Sequence, residues 1–238
     1  MSKLGQLIKG EIIRLVKYKI IVFGVLASLI WVVIIALSDV ETTLTLVPFL
    51  VLMDAGLMST ILLGASFFYE KQEGTMQTIL VSPVSMWAIL LAKIVTMVLM
   101  ATISFILVVC AALIFHDFPV DVVRLFLSSI IVVISHTAIG FVLTLTARDY
   151  MQLLIRTMGM MLVFFLPVLL IALGIIPQSF EFILFISPAY SGQLLFESAL
   201  HDVETWKMIL SCGYLIAIPS LLYPLYISRR YRAVAMEG

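Results

Sequence analysis

Six long apolar runs dominate the chain, near Ile20–Leu37, Leu44–Tyr69, Ala88–Phe115, Val122–Ala147, Met151–Gly174 and Trp206–Ile227. An α-helix rises about 1.5 Å per residue, so about 20 apolar residues cross a hydrocarbon core of about 30 Å. Backbone inside lipid must satisfy its own polar groups. Runs of this length do so as helices, whereas barrel strands would show as alternating stretches of about ten residues. The fold class is therefore all-α: a polytopic membrane protein with six transmembrane helices in one domain, 1–238. Composition closes off the other classes. Hydrophobic residues make up 63% of the chain and charged residues 12%, where a soluble domain carries roughly 25% charge. Fourteen basic and fourteen acidic side chains cancel, so no strongly basic surface exists for nucleic acid, and the apolar content excludes a disordered chain.

Basic residues orient the spans. With the N-terminus in the cytoplasm, Lys3, Lys9, Arg14, Lys17, Lys19, Lys71, Lys93, Arg148, Arg156, Arg229, Arg230 and Arg232 lie inside. Only Arg124 and Lys207 then lie outside. The positive-inside rule thus places both termini in the cytoplasm. The first run follows a basic stretch, as in a signal peptide, but it is longer than a signal core and more spans follow. It reads as an uncleaved anchor.

Two segments break the six-span pattern. In residues 1–19, Leu4, Leu7, Ile8, Ile12 and Leu15 recur on one helical face, with Lys9 and Lys17 opposite. This spacing predicts an amphipathic helix lying in the inner membrane interface and touching lipid. Glu11 falls inside the apolar stripe, against the pattern. Residues 175–205 hold Pro177, the apolar stretch Phe180–Ile186, Pro188 and Gly192. They are too apolar for a solvent loop and too interrupted for one span. The expectation is a re-entrant outer segment of two short helices, its irregular backbone buried in protein or facing a cavity.

The loop after the second run reads Tyr69-Glu70-Lys71-Gln72-Glu73-Gly74-Thr75-Met76-Gln77-Thr78-Ile79-Leu80-Val81-Ser82-Pro83-Val84-Ser85. Gly74 permits a sharp bend. Met76, Ile79 and Leu80 form a small apolar face at helical spacing. Pro83 disfavours helix at Ser82 and ends the turn. The stretch 70–87 therefore holds a short surface helix, suited either to a partner's groove or to resting on headgroups.

This loop carries a family resemblance. Glu70, Glu73-Gly74-Thr75, Thr78-Ile79-Leu80, Ser82-Pro83 and Ser85, with Lys93 in the next helix, resemble the permease subunits of type-2 ABC exporters. Ser187-Pro188-Ala189-Tyr190 resembles the proline-and-tyrosine stretch between that family's last two spans. The resemblance covers essentially the whole chain and implies a transmembrane permease of a small drug- or peptide-exporter kind, in a bacterial plasma membrane. It implies that the loop is a coupling helix seated in a cleft of a separate ABC ATPase subunit, with Glu70, Glu73, Gly74, Thr75, Met76, Ile79 and Leu80 shaping the contact. It also implies a second permease copy, or a related permease, as partner in the membrane. ATP and Mg would then belong to the ATPase, with no cofactor on this chain.

The residues agree with a non-enzymatic role. The chain has no GxxxxGK[ST] phosphate loop, no HExxH and no GxSxG. His116, His136 and His201 lack metal spacing, and Cys110 and Cys212 form no disulfide framework. Asp54 and His136 both fall near mid-membrane. They read as a pair, as part of a substrate path, or as an internal hydrogen bond that fixes packing. A proton relay through Asp54 and His136 would suit an ion-coupled secondary carrier, the rival function; a membrane scaffold without transport is another. Gly56, Thr60 and Gly64 form a small-residue stripe for close helix approach, within one subunit or between two. Trp31, deep in the first run, reads as packing. The fifteen Phe and thirteen Met suit lipid contact, core or an apolar cavity.

Overall fold

The computed structural model describes residues 3–116 and 119–236, side chains excepted at 79–81, 178, 235 and 236. Among the described residues there are helices and turns and no strand. Six helices are long and apolar enough to cross a membrane. Span 1 is Ile20–Leu37, span 2 Val40–Gln72, span 3 Met86–Phe115, span 4 Val122–Thr146, span 5 Tyr150–Ala172 and span 6 Thr205–Val234. Every expected span is present, with ends shifted by a few residues and span 6 running on by seven.

Short polar side chains start most of these helices. Asp39 accepts a hydrogen bond from the Thr42 amide at 2.7 Å, Asp121 from Arg124 at 3.0 Å and Asp149 from Gln152 at 2.7 Å. Ser85 does the same for Ala88 at 3.2 Å. Each satisfies an amide that the first helical turn leaves open. Spans 2, 5 and 6 each contain one π-helical turn, at Met53–Met58, Met161–Phe165 and Tyr223–Ile227. In span 5 Pro167 follows at once. A proline offers no amide to the turn before it, so the helix widens there.

Span 2 is the axis of the bundle and is mostly buried, whereas spans 1, 5 and 6 are mostly exposed. Close contacts along span 2 are set by small residues. A Cβ on Gly56 would stand 2.8 Å from Phe165 of span 5 and 3.0 Å from the His136 ring of span 4. One on Gly64 would stand 1.9 Å from Leu153 of span 5. Thr60 meets Gly140 of span 4, where an added Cβ would lie 3.1 Å from the Thr60 Cα. The Gly56, Thr60, Gly64 stripe therefore packs spans within one chain.

The N-terminal helix, Lys3–Lys17, packs against span 3 and span 1. Met1 and Ser2, at the start of the expected 1–19 helix, lie outside the described residues. Glu11 and Leu15 are buried, while Ile12, Ile13 and Val16 are exposed. The face turned inward is thus rotated from the apolar stripe, and Glu11 belongs to it. Between spans 5 and 6, a 3-10 turn Gln178–Phe180 and a short helix Glu181–Leu184 lead to the outer helix Pro188–Glu197. Ser187 caps that helix on the Tyr190 amide and donates to the Phe164 carbonyl at 3.2 Å. A Cβ on Gly192 would meet Leu52 at 2.8 Å and Val132 at 3.3 Å. Val132 is ten residues into span 4, about 15 Å from its start. The outer helix climbs back from there to Ala199, whose carbonyl accepts from the Asp121 amide at 3.0 Å.

Candidate functional site

The end of the bundle that carries the N-terminal helix holds four charged side chains in van der Waals contact. Lys93, near the start of span 3, places its ammonium 2.5 Å from Glu70 Oε1 and 3.0 Å from Glu11 Oε1. The Arg14 guanidinium lies 2.7 Å from Glu11 and 3.2 Å from Glu70. Lys93, Glu70 and Glu11 are all at most 3% exposed. Two cations and two carboxylates leave the cluster neutral, which is the condition for burying charge at all. Burial alone would push the Glu11 carboxyl up, but Lys93 and Arg14 outweigh it and hold Glu11 below the usual carboxylate range. Tyr231 of span 6 is buried against the cluster, its ring 5.7 Å from Phe67. One knot of charge therefore joins the N-terminal helix, spans 2 and 3 and the end of span 6.

The loop after span 2 grows out of this knot. Glu70 lies in the last turn of span 2, which runs to Gln72. Gly74 has φ +67°, a left-handed turn that glycine takes at little cost. Thr75 opens the helix Thr75–Val81 and donates to the Glu70 carbonyl at 3.2 Å. Met76 is 3% exposed and points inward. Glu73, Gly74, Gln77 and Thr78 are exposed, and Glu73 takes an ion pair from Lys17 at 2.7 Å. Lys3 reaches the Pro83 carbonyl at 3.2 Å. The side chains of Ile79 and Leu80 lie outside the described residues. Of the expected contact residues, Glu70 and Met76 are thus interior supports, and the outward rim is Glu73, Gly74, Gln77 and Thr78. Thr78 stands in the family motif but not among the expected contact residues, and Gln77 in neither; both are exposed on the helix Thr75–Val81. The apolar stripe of the N-terminal helix predicts lipid contact on one face, yet Glu11, which breaks that stripe, is the trace of the buried Lys93 and of Arg14 beside it.

Asp54 and His136 are each buried and are not hydrogen-bonded to each other. Asp54 sits in the π-helical turn of span 2. It accepts from the Trp31 indole at 3.0 Å and from the Ser28 hydroxyl at 3.4 Å, and the Ser104 hydroxyl also donates to it. Its partners therefore come from spans 1 and 3. Trp31, expected as packing alone, carries a polar contact. The His136 Nδ1–H donates to the Val132 carbonyl at 3.0 Å, one turn back in its own helix, while Nε2 has no hydrogen-bond partner among the described residues. Its ring stands edge-on to Phe165 at 5.7 Å. The expected pair is thus replaced by two separate arrangements, and no direct relay joins them. Among the described residues no cluster of His, Cys, Asp and Glu could hold a metal ion.

Residues 38–225 match the model of the ABC-2 family transporter protein, which is most of the chain. The chain belongs to this family. It is also similar to the fluoroquinolones export permease protein of Mycobacterium tuberculosis, in each of two strains. The identity is 23% over 221 residues, covering 92% of this chain and 89% of the relative. The protein is an ABC-2 type exporter permease, a multi-pass membrane protein and a transport subunit.

A broad apolar groove of the permease, about 680 Å³, lies between span 1, span 2 and the start of span 5. Phe23, Leu26 and Ile30 form one wall, and Leu62, Phe68 and Tyr69 the other. Tyr18 and Tyr69 stack with ring centroids 4.3 Å apart, and Tyr150 closes the same end. Of the Met and Phe side chains that composition suggested for an apolar cavity, Phe23, Phe68 and Met58 line this groove, and Tyr18, Tyr69 and Tyr150 add to its aromatic character.

Proposed function

We propose that this chain is the membrane subunit of an ATP-driven exporter that works with a separate ABC ATPase and moves an amphipathic or apolar substrate, a drug or peptide, outward. The observation that carries the reading is the loop rim standing on the buried ion knot. A partner that pushes on Glu73, Gly74, Gln77 and Thr78 pushes on a turn whose base is locked to three spans and the N-terminal helix. Displacement there has no soft element to absorb it, so it passes to span 2 and to both walls that meet it.

The basic bias of the sequence puts this end in the cytoplasm, with both termini, in a bacterial plasma membrane. The N-terminal helix then rests at the inner interface with Ile12, Ile13 and Val16 toward lipid, and the outer helix is re-entrant. The groove between spans 1, 2 and 5 is the substrate surface, completed by a second permease copy. The mycobacterial relative is named for fluoroquinolone export, and its substrate class supports an aromatic, amphipathic cargo for this groove. No ATP or Mg binds this chain; both belong to the ATPase.

The test is purification of a tagged chain from its native membrane in mild detergent, with mass spectrometry of what co-elutes. A stoichiometric soluble protein with a GxxxxGK[ST] loop is expected, and it is expected to dissociate on Thr78→Arg. An intact, monodisperse chain with no such partner overturns the reading.

A further inference from the structure

The opposite end of the molecule holds a second cavity, about 630 Å³, enclosed by span 5, the outer helix and the start of span 6. Its two sides differ in chemistry. Span 5 supplies an apolar wall of Val168, Ile171 and Ala172. The outer helix supplies Gln193 and Glu197, and the connection to span 6 adds His201, Asp202 and Glu204.

Gln193 is the decisive residue. It is 2% exposed, and its Nε2 donates to Glu197 Oε1 at 2.9 Å. Its Oε1 is buried with no hydrogen-bond partner among the described residues, and the residue is part of the cavity lining. A buried amide oxygen left without a donor is costly. Glu197 beside it has no ion pair among the described residues. The nearby ammonium, Lys207, is bound elsewhere, 2.7 Å from Glu181 and 3.7 Å from Glu204. Glu181 in turn accepts from the Tyr190 hydroxyl. Four carboxylates thus line the cavity with one ammonium and one imidazole, and the ammonium is shared between Glu181 and Glu204.

A metal ion does not fit this arrangement, because no three ligating side chains converge among the described residues. The volume is that of a small organic molecule. The lone acceptor and the lone carboxylate call for an N–H donor with positive charge, and the span 5 wall calls for an apolar body.

We propose that this cavity binds a protonated amine with an apolar body, its ammonium held between the Glu197 carboxylate and Gln193 Oε1. The site deepens the exporter reading and rests on it for its role, as the outer station of an amphipathic cation. Its occupancy does not depend on the ATPase.

Direct binding to the isolated chain in lipid nanodiscs tests it, with the fluorescent primary amine dansylcadaverine as probe and empty nanodiscs as blank. Saturable binding above the blank is expected. Glu197→Gln and Gln193→Leu are each expected to weaken it tenfold or more. N-acetylated dansylcadaverine, with the same body and no charge, is expected to show no saturable binding. This last comparison holds even if a variant fails to fold. Absence of saturable binding by the unmodified chain, equal binding by a Glu197→Gln chain of unchanged elution, or equal binding of the acetylated probe each overturns the site. If the ATPase still co-elutes, the site alone is lost; if amine binding holds and no ATPase is found, the exporter reading is lost and the site stands.

Discussion

Lys93 is 1% exposed and surrounded by helices, so its ammonium keeps almost no water. Two carboxylates within 3.0 Å replace the lost hydration. The arrangement is asymmetric under mutation. Removing the lysine leaves Glu11 and Glu70 facing each other with Arg14 alone between them. Breaking a buried pair in this way costs about 3–5 kcal/mol. Lys93→Met is therefore expected to lower the thermal midpoint in detergent sharply, by far more than Lys17→Met at the exposed Glu73 pair, where about 0–1 kcal/mol is at stake. The triple variant Lys93→Met, Glu11→Gln, Glu70→Gln removes the uncompensated charge and is expected to recover much of the loss. Equal midpoints for Lys93→Met and Lys17→Met would refute the cluster. At this scale the sequence was partly legible. Glu11 broke an apolar stripe, which is a signal, and Arg14 lies one turn on, but Lys93 and the competing Glu70 lie 82 and 59 positions away in the chain. No local pattern connects them. Asp54 shows the same limit: depth along a span was readable, but the rotation that turns it toward Trp31 and Ser104 instead of His136 depends on a π-helical turn invisible in spacing.

Among the elements, span ends were the easiest to read, because length against bilayer thickness is a local property, as is the Asp or Ser that caps spans 2, 3, 4 and 5. Helix faces were harder. The stripe Gly56, Thr60, Gly64 marked a close approach without naming the neighbour. With the Leu153 Cδ2 only 1.9 Å from a built Cβ, Gly64→Ala must displace the Leu153 side chain from its place against span 2, at about 1–3 kcal/mol. Leu153→Ala in the same chain vacates that space. The double variant is thus expected to be more stable than the sum of its parts, read by a double-mutant cycle of thermal midpoints; strict additivity would mean that spans 2 and 5 do not meet there. Gly74 makes a separate case. Nothing lies within 4 Å of its missing side chain, so only its positive φ resists substitution. Gly74→Val is expected to leave the spans folded but to re-aim the helix Thr75–Val81. In the reconstituted complex ATP hydrolysis should then continue while transport falls, and tight coupling in that variant would remove the loop from the transmission path.

For the whole molecule, the distribution of charge between the two ends makes an orientation testable. The end with the N-terminal helix is rich in cations, and the end with the outer helix carries Glu181, Glu197, Asp202 and Glu204 around Lys207. In a chain with Cys110 and Cys212 replaced by alanine, Glu73→Cys is expected to react with a membrane-impermeant maleimide only in inverted vesicles. Asp202→Cys is expected to react only in intact cells. The reverse pattern would invert the topology and remove the ATPase-facing role of the loop. The two grooves lie at opposite ends of this axis and differ in kind, one aromatic and open at the side, one carboxylate-lined and roofed by the outer helix.

The four-charge knot also has a consequence for biosynthesis. The N-terminal helix precedes its counter-charges in the chain: Glu70 closes span 2 and Lys93 opens span 3. Until span 3 has entered the membrane, Lys93 and the larger of the two surfaces that the helix packs on are missing, and span 1, Arg14–Glu70 and Lys17–Glu73 hold it. An element near the start of translation is therefore fully fastened only after the third helix is threaded, and a ribosome stalled between these points leaves it more open to proteases than it is in the finished protein.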